Sequence, residues 1–166
     1  MPKLEVFFDY ICPFCLRGHT NLMELAPSFP QIKIEWRPCE AHPRPERFGL
    51  HSDLCARTMY FAKDRNVDMV EFHRRMYQAT LTDRLNIEDI EVLVGLTADM
   101  LDGELLRAAL SAHLYEREVK INNRLVWEVY DCPAVPSYRL NRKLLPSKEG
   151  IGVGIEELEA FLRQHA

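Results

Sequence analysis

The chain has 166 residues, 47% of them hydrophobic, enough apolar side chains for a single core in one domain of ordinary size. Its 21 basic and 25 acidic residues leave a net charge of −4 with the six histidines neutral, which argues against nucleic acid or anionic lipid as a partner. The longest unbroken apolar run, Met59 to Ala62, falls far short of the roughly 20 residues that cross a bilayer, and Lys3, Glu5 and Asp9 interrupt any signal-peptide core, so a cytoplasmic protein without a membrane segment is expected.

Leu4, Val6 and Phe8 alternate with Glu5 and Asp9 while Phe7 makes the second face partly apolar, the pattern of a central strand. That strand runs into Cys12-Pro13-Phe14-Cys15, after which Cys15, His19, Leu22 and Ala26 recur at helical spacing until Pro27 and Pro30. Ile32, Ile34 and Trp36 alternate with charged neighbours and predict a second strand, ended by Pro38. The segment AHPRPER, residues 41–47, carries too much proline for a regular element, and the stretch beyond it reads as helical up to Tyr130. Asp53 is expected to cap a helix over Leu54–Lys63, Val67, Val70, Phe72, Met76 and Tyr77 form a second stripe, and Asn86 and Asp102 are expected caps of two more helices. A last helical stretch is predicted from Val119 to Tyr130. Ser137–Leu140 and Lys143–Leu145 read as a hairpin about Asn141-Arg142, and Ile155, Leu158, Phe161 and Leu162 as the apolar stripe of a terminal helix. Gly150, Gly152 and Gly154 have neither the context nor the spacing of a phosphate loop and read as a connector.

Five cysteines, an odd number at low density, do not make a disulfide-stapled secreted scaffold, and in a reducing compartment such residues are more often catalytic, metal-binding or buried. A disulfide exchanger needs one exposed thiol ionised at neutral pH and a second close enough to attack the mixed disulfide that the first one forms. The CPFC motif at a helix start meets both needs. Pro13 at the first helical position makes Cys12 the N-cap, where free backbone N–H groups and the helix dipole favour a thiolate. Cys15, one turn on and on the apolar stripe, is the expected shielded, resolving thiol. Far downstream, Pro136 opens the predicted hairpin in Ala134-Val135-Pro136-Ser137, a place where a cis peptide can turn backbone groups toward a site.

Strand, CPFC, helix, strand, helical insertion, then Val135-Pro136-Ser137, a hairpin and a terminal helix together resemble the DsbA-like oxidoreductases over nearly the whole chain, and FFDYICPFC resembles their FrnE-like branch. The resemblance implies an α/β thioredoxin-like fold, β-α-β … β-β-α, with residues 1–40 and 131–166 forming the thioredoxin-like unit and 48–130 an all-helical insertion. It also implies a thiol–disulfide oxidoreductase, with Cys12 as nucleophile, Cys15 as resolving thiol, and Pro13, Phe14, Val135 and Pro136 contacting substrate. The expected partners are protein or peptide thiols and disulfides, with no cofactor beyond the cysteine pair and glutathione as an alternative co-substrate. Two departures stand out: Phe14 occupies a place where many relatives have histidine, and Val6 stands where many have a buried acid six residues before the nucleophile. Glu5 is adjacent but points to the opposite face by strand alternation, so the proton acceptor for Cys15 is not evident.

Two other readings compete. A glutathione-dependent isomerase or transferase of the kappa-class type shares the insertion architecture but usually has serine where Cys12 stands. A zinc-stabilised module would use Cys12, Cys15, Cys39 and His42, a permissible tetrahedral set. His19 and Cys132 are expected to be packed structural residues, Cys39 and Cys55 free thiols, and Arg74-Arg75 a solvated face. Met59, Met69, Met76, Tyr60, Phe72 and Tyr77 are expected in the helical core, a minority of them lining a groove over Cys12.

Overall fold

In the computed structural model, which describes residues 1–47 and 49–166, the alternating apolar side chains of Lys3–Phe8 form strand β1, buried on both faces from Leu4 onward. Burial on both faces is what a central position demands, and the sheet order is β2-β1-β3-β4. Strand β2, Lys33–Pro38, runs parallel to β1 from Lys3 opposite Lys33 to Phe8 opposite Pro38. Strand β3, Ser137–Leu140, runs antiparallel to β1 on its other edge, and β4, Lys143–Leu145, completes the predicted hairpin. A parallel pair needs a crossover, which helix α1, Pro13–Leu25, supplies. The terminal helix α7, Ile155–His165, packs beside α1, and Leu4, Leu22, Phe29 and Leu162 close the space between the helices and the sheet.

Between β2 and β3 the described chain is helical: α2 Asp53–Asp64, α3 Met69–Tyr77, α4 Ile90–Leu96, α5 Gly103–Ser111 and α6 Glu116–Asn123. Phe48, where the helical insertion was expected to begin, lies outside the described residues. Met59, Phe61, Phe72, Met76, Leu93 and Leu106 are at most 1% exposed and form the helical part of the core. Each such side chain contributes roughly 1.5–3 kcal/mol on removal from water. Asp102 caps α5 as expected, accepting from the amides of Glu104 and Leu105. Asn86 does not cap α4: that role falls to Asp89, which accepts from Glu91, because the chain makes one more turn before the helix begins. The helix expected over Val119–Tyr130 starts earlier, at Glu116, and its end widens into a π-helical turn, Arg124–Val129. A second π-helical turn, Gln78–Thr82, follows α3. Arg74 is solvated as expected. Arg75 is not: it is largely covered and bonds Asp99, Glu71 and the Leu96 carbonyl, tying α3 to the end of α4.

Candidate active site

At the carboxyl end of β1 the chain turns through Asp9–Cys12 and enters α1. Cys12 has an extended backbone, φ −100° and ψ 116°, and Pro13 is the first helical residue, its missing N–H costing nothing there. The Cys12 carbonyl accepts the amides of Cys15 and Leu16 at 3.1 and 3.2 Å, closing the first turn. This turn points Cys15 inward, where it is 1% exposed, and leaves Cys12 half-buried; both thiols are free.

The two sulfurs are electronically unlike. The Cys15 thiol donates toward Cys12 and holds its pKa below the ordinary thiol value; burial opposes this, and the amides of Cys15 and Phe14 assist. The Cys12 sulfur makes no N-cap hydrogen bond of its own, so the helix start acts through nearby amides rather than through a formed cap. Cys15 is pushed far the other way, first by burial and then by its bond to Cys12. The Asp9 amide donates to its sulfur at 3.4 Å.

Across from Cys12 lies the downstream loop. The Val135–Pro136 peptide is cis, and the Cys12 thiol is 3.7 Å from the Val135 carbonyl oxygen. Ser137 braces the loop: its hydroxyl donates to the Ala134 carbonyl at 2.8 Å and accepts the Ser147 amide at 3.0 Å. Gly18 permits the approach of α1 to this loop, since a Cβ there would sit 2.6 Å from the Tyr138 hydroxyl and 2.9 Å from Pro136 Cγ. Cys12, Pro13, Phe14 and Val135 open onto one groove of about 590 Å³, whose walls include Pro43 and Trp127.

Each of the six residues singled out from the sequence therefore lies at this place, Pro136 immediately behind Val135. The groove wall differs from expectation: of the helical residues beyond β2 it is Trp127, in the π-helical turn Arg124–Val129, and none of the expected methionines or tyrosines, that faces Cys12. Trp127 donates its indole N–H to the Glu40 carbonyl at 2.9 Å, which sets the ring against the groove. Glu5 is not a partner of Cys15: its carboxylate bonds Arg37 and Arg139 at 3.0 and 2.7 Å. The buried acid missing at Val6 has a counterpart at Asp9, which is 1% exposed and accepts the amides of Ile11 at 3.1 Å and Ala41 at 2.9 Å. Burial raises the Asp9 pKa, and its negative charge opposes ionisation of both Cys12 and Cys15. The set Cys12, Cys15, Cys39 and His42 is not assembled as a metal site. Cys39 is buried and donates to the Phe8 carbonyl, His42 pairs with Glu46, and among the described residues no three His, Cys, Asp or Glu side chains are grouped to hold a metal ion.

The family model of a DSBA-like thioredoxin domain matches residues 3–164. The chain belongs to that family. Its enzyme class is thiol–disulfide oxidoreductase. Among similar proteins, the uncharacterized protein YwbO of Bacillus subtilis is 26% identical over 183 aligned positions, covering 89% of this chain and 90% of YwbO. A probable DsbA oxidoreductase from Streptomyces coelicolor has a TM-score of 0.81 at 19% identity, covering 99% of this chain and 90% of that one. The cytosolic disulfide reductase DsbM from Pseudomonas aeruginosa, solved with glutathione, has a TM-score of 0.70 at 16% identity over 98% of both chains. These structures share the fold of this DsbA-like chain. Gly18, Asp9 and Trp127, which sequence reasoning passed over as site residues, carry no local signal. Each matters through a segment remote in the chain.

Proposed function

We propose that this DsbA-like protein exchanges disulfides with protein or peptide substrates through a mixed disulfide on Cys12, which Cys15 resolves. In the reducing direction the Cys12 thiolate attacks one sulfur of the substrate disulfide. The other sulfur leaves with the bonding electron pair and takes up a proton. Cys15, deprotonated, then attacks the Cys12 sulfur; the Cys12–substrate bond breaks, the second substrate thiolate leaves and is protonated, and the cysteine pair ends as a disulfide. The substrate gains two electrons and the pair loses two. The opposite pKa displacements of two neighbouring sulfurs carry this reading, because they give one thiol the attacking role and keep the other in reserve.

Val135 and Pro136 offer an extended substrate a backbone edge beside Cys12, and Pro13 and Phe14 an apolar lip. The described residues lining the groove are mostly apolar, with His42 and Glu149 as its ionisable side chains besides Cys12, a surface that suits an apolar peptide segment, and glutathione is an alternative co-substrate. A cytoplasmic setting accords with the cytosolic description of the DsbM relative. No helix of the described residues is long and apolar enough to cross a membrane. We read residues 1–40 and 131–166 as the thioredoxin-like unit and 48–130 as the inserted helical cover.

Insulin reduction with dithiothreitol as terminal reductant tests the activity, and Cys15→Ala tests the roles. Turnover by the native chain and a trapped substrate adduct on Cys12 in the variant are expected. No turnover and no adduct would remove the proposal.

A further inference from the structure

Tyr10 lies between Asp9 and the redox pair and is held at both of its polar ends by helical residues far away in the chain. Its carbonyl oxygen accepts a hydrogen bond from the Thr80 hydroxyl at 2.6 Å. That hydroxyl is also 3.3 Å from the Tyr77 carbonyl, the longer of its two acceptors. At the other end, the Tyr10 hydroxyl and His73 Nδ1 are 2.8 Å apart in a buried hydrogen bond. His73 sits on α3, and Thr80 in the π-helical turn that follows it. Such turns are rare and recur at functional sites. Tyr10, His73 and Thr80 are all buried, so neither bond is exchanged with solvent at no cost.

We infer that Thr80 and His73, through Tyr10, are positioning residues for the resolving step: they hold the Asp9 amide on the Cys15 sulfur. The inference rests on the proposed roles of Cys12 and Cys15. The Asp9–Cys15 contact is made by backbone on one side, so it depends on the conformation of the Asp9–Cys12 loop, which the Asp9 carboxylate shares in setting by accepting the Ile11 amide. Within the loop the Ile11 amide bonds the Asp9 carboxylate and the Cys12 amide bonds the Asp9 carbonyl, each at 3.1 Å, and the two bonds to Tyr10 anchor that turn to the helical residues. In the mixed disulfide Cys15 must become a thiolate in a buried place, and an N–H aimed at its sulfur stabilises that anion. Cys12, by contrast, sits at the helix start with its own neighbouring amides, and its first attack does not depend on the Asp9 amide.

The test separates the two steps. The substrate is a cysteine peptide joined by a disulfide to a chromogenic aromatic thiol. Attack of Cys12 on the peptide sulfur releases the aromatic thiolate, and attack of Cys15 on Cys12 then releases the peptide thiol, so the two phases are read at separate signals. Thr80→Val preserves the side-chain shape and removes the donor. The expected result is an aromatic-thiolate phase within about twofold of the native rate, peptide release slowed on the order of 3- to 10-fold, and recovery in Thr80→Ser, which keeps the donor. Peptide release at the native rate in a folded Thr80→Val, slowing of both phases alike, or no recovery in Thr80→Ser would overturn the inference. Should Thr80→Val not fold, Tyr10→Phe cuts the bond to His73 and is judged by the same selective slowing of the second phase. A native chain that releases no aromatic thiolate would instead refute the role of Cys12 itself.

Discussion

Acid should destabilise this protein through His19, and by a calculable amount. The ring lies among Trp36, His73 and Tyr77, with centroids 5.6, 5.2 and 5.9 Å away, and its Nδ1 is buried without a hydrogen-bond partner. Burial lowers its pKa from 6.5 to about 4. A proton therefore binds the unfolded chain more readily than the folded one. The stability held by the neutral ring is complete above pH 6.5 and is lost as pH falls toward 4. At about 1.4 kcal/mol per pH unit, that window is worth about 3 kcal/mol. His73, more deeply buried and displaced in the same direction, steepens the loss. Carboxylates in ion pairs also lose stability in acid, so the native chain alone does not isolate the effect. His19→Phe fills the same space with a ring that does not titrate, and urea unfolding of both proteins from pH 7.5 to 4 gives the difference. The native chain should lose about 3 kcal/mol more than the variant across this range. Parallel stability curves would refute the claim that this imidazole is kept neutral by its surroundings.

Three further outcomes are expected. Gly18→Ala drives a methyl group into the Tyr138 hydroxyl and Pro136, and should cost about 1–3 kcal/mol in denaturant unfolding and slow insulin reduction; a variant as stable and active as the native chain would show that α1 is not tightly seated on that loop. The pH profile of iodoacetamide alkylation should place Cys12 below an ordinary thiol, and Asp9→Asn, by removing a neighbouring negative charge, should move it lower still; an upward shift would contradict the electrostatics. Because the Phe14 side chain, unlike a histidine, cannot hydrogen-bond a thiolate, the pair should equilibrate with glutathione buffers at a potential more negative than the roughly −120 mV of DsbA, and a value at or above it would count against that reasoning.

Much of the architecture was legible in local pattern. The period of two in Leu4–Phe8 and Ile32–Trp36, the helical stripe after CPFC and the Ser137–Leu145 hairpin each report a preference that neighbouring residues share, and each element formed near its predicted place. The errors came where local signals were equivalent. Asn86 and Asp89 are both competent caps three residues apart, and the turn closed by the Asp89 amide on the Asn86 carbonyl puts the helix start at Asp89. Arg75 reads like Arg74, yet one residue of helical rotation carries it to the Leu96 carbonyl and Asp99.

For the site, the residues alone decided that a thiol pair stands at a helix start, because Pro13 sets the first turn and the spacing puts Cys15 one turn inside it. They could not decide what surrounds that pair. Asp9 looked like a polar residue ending a strand, and in the fold it is a buried acid whose carboxylate is met by the Ala41 amide from beyond β2; Glu5, nearer to the expected position, is drawn off by Arg37 and Arg139 from two other strands. Trp127 and Thr80 reach the active-site loop from 115 and 68 residues beyond Cys12 in the chain. Spacing in sequence records contacts made within a turn or a strand, whereas the burial and neighbouring charge that tune a thiol arise only when distant segments pack together.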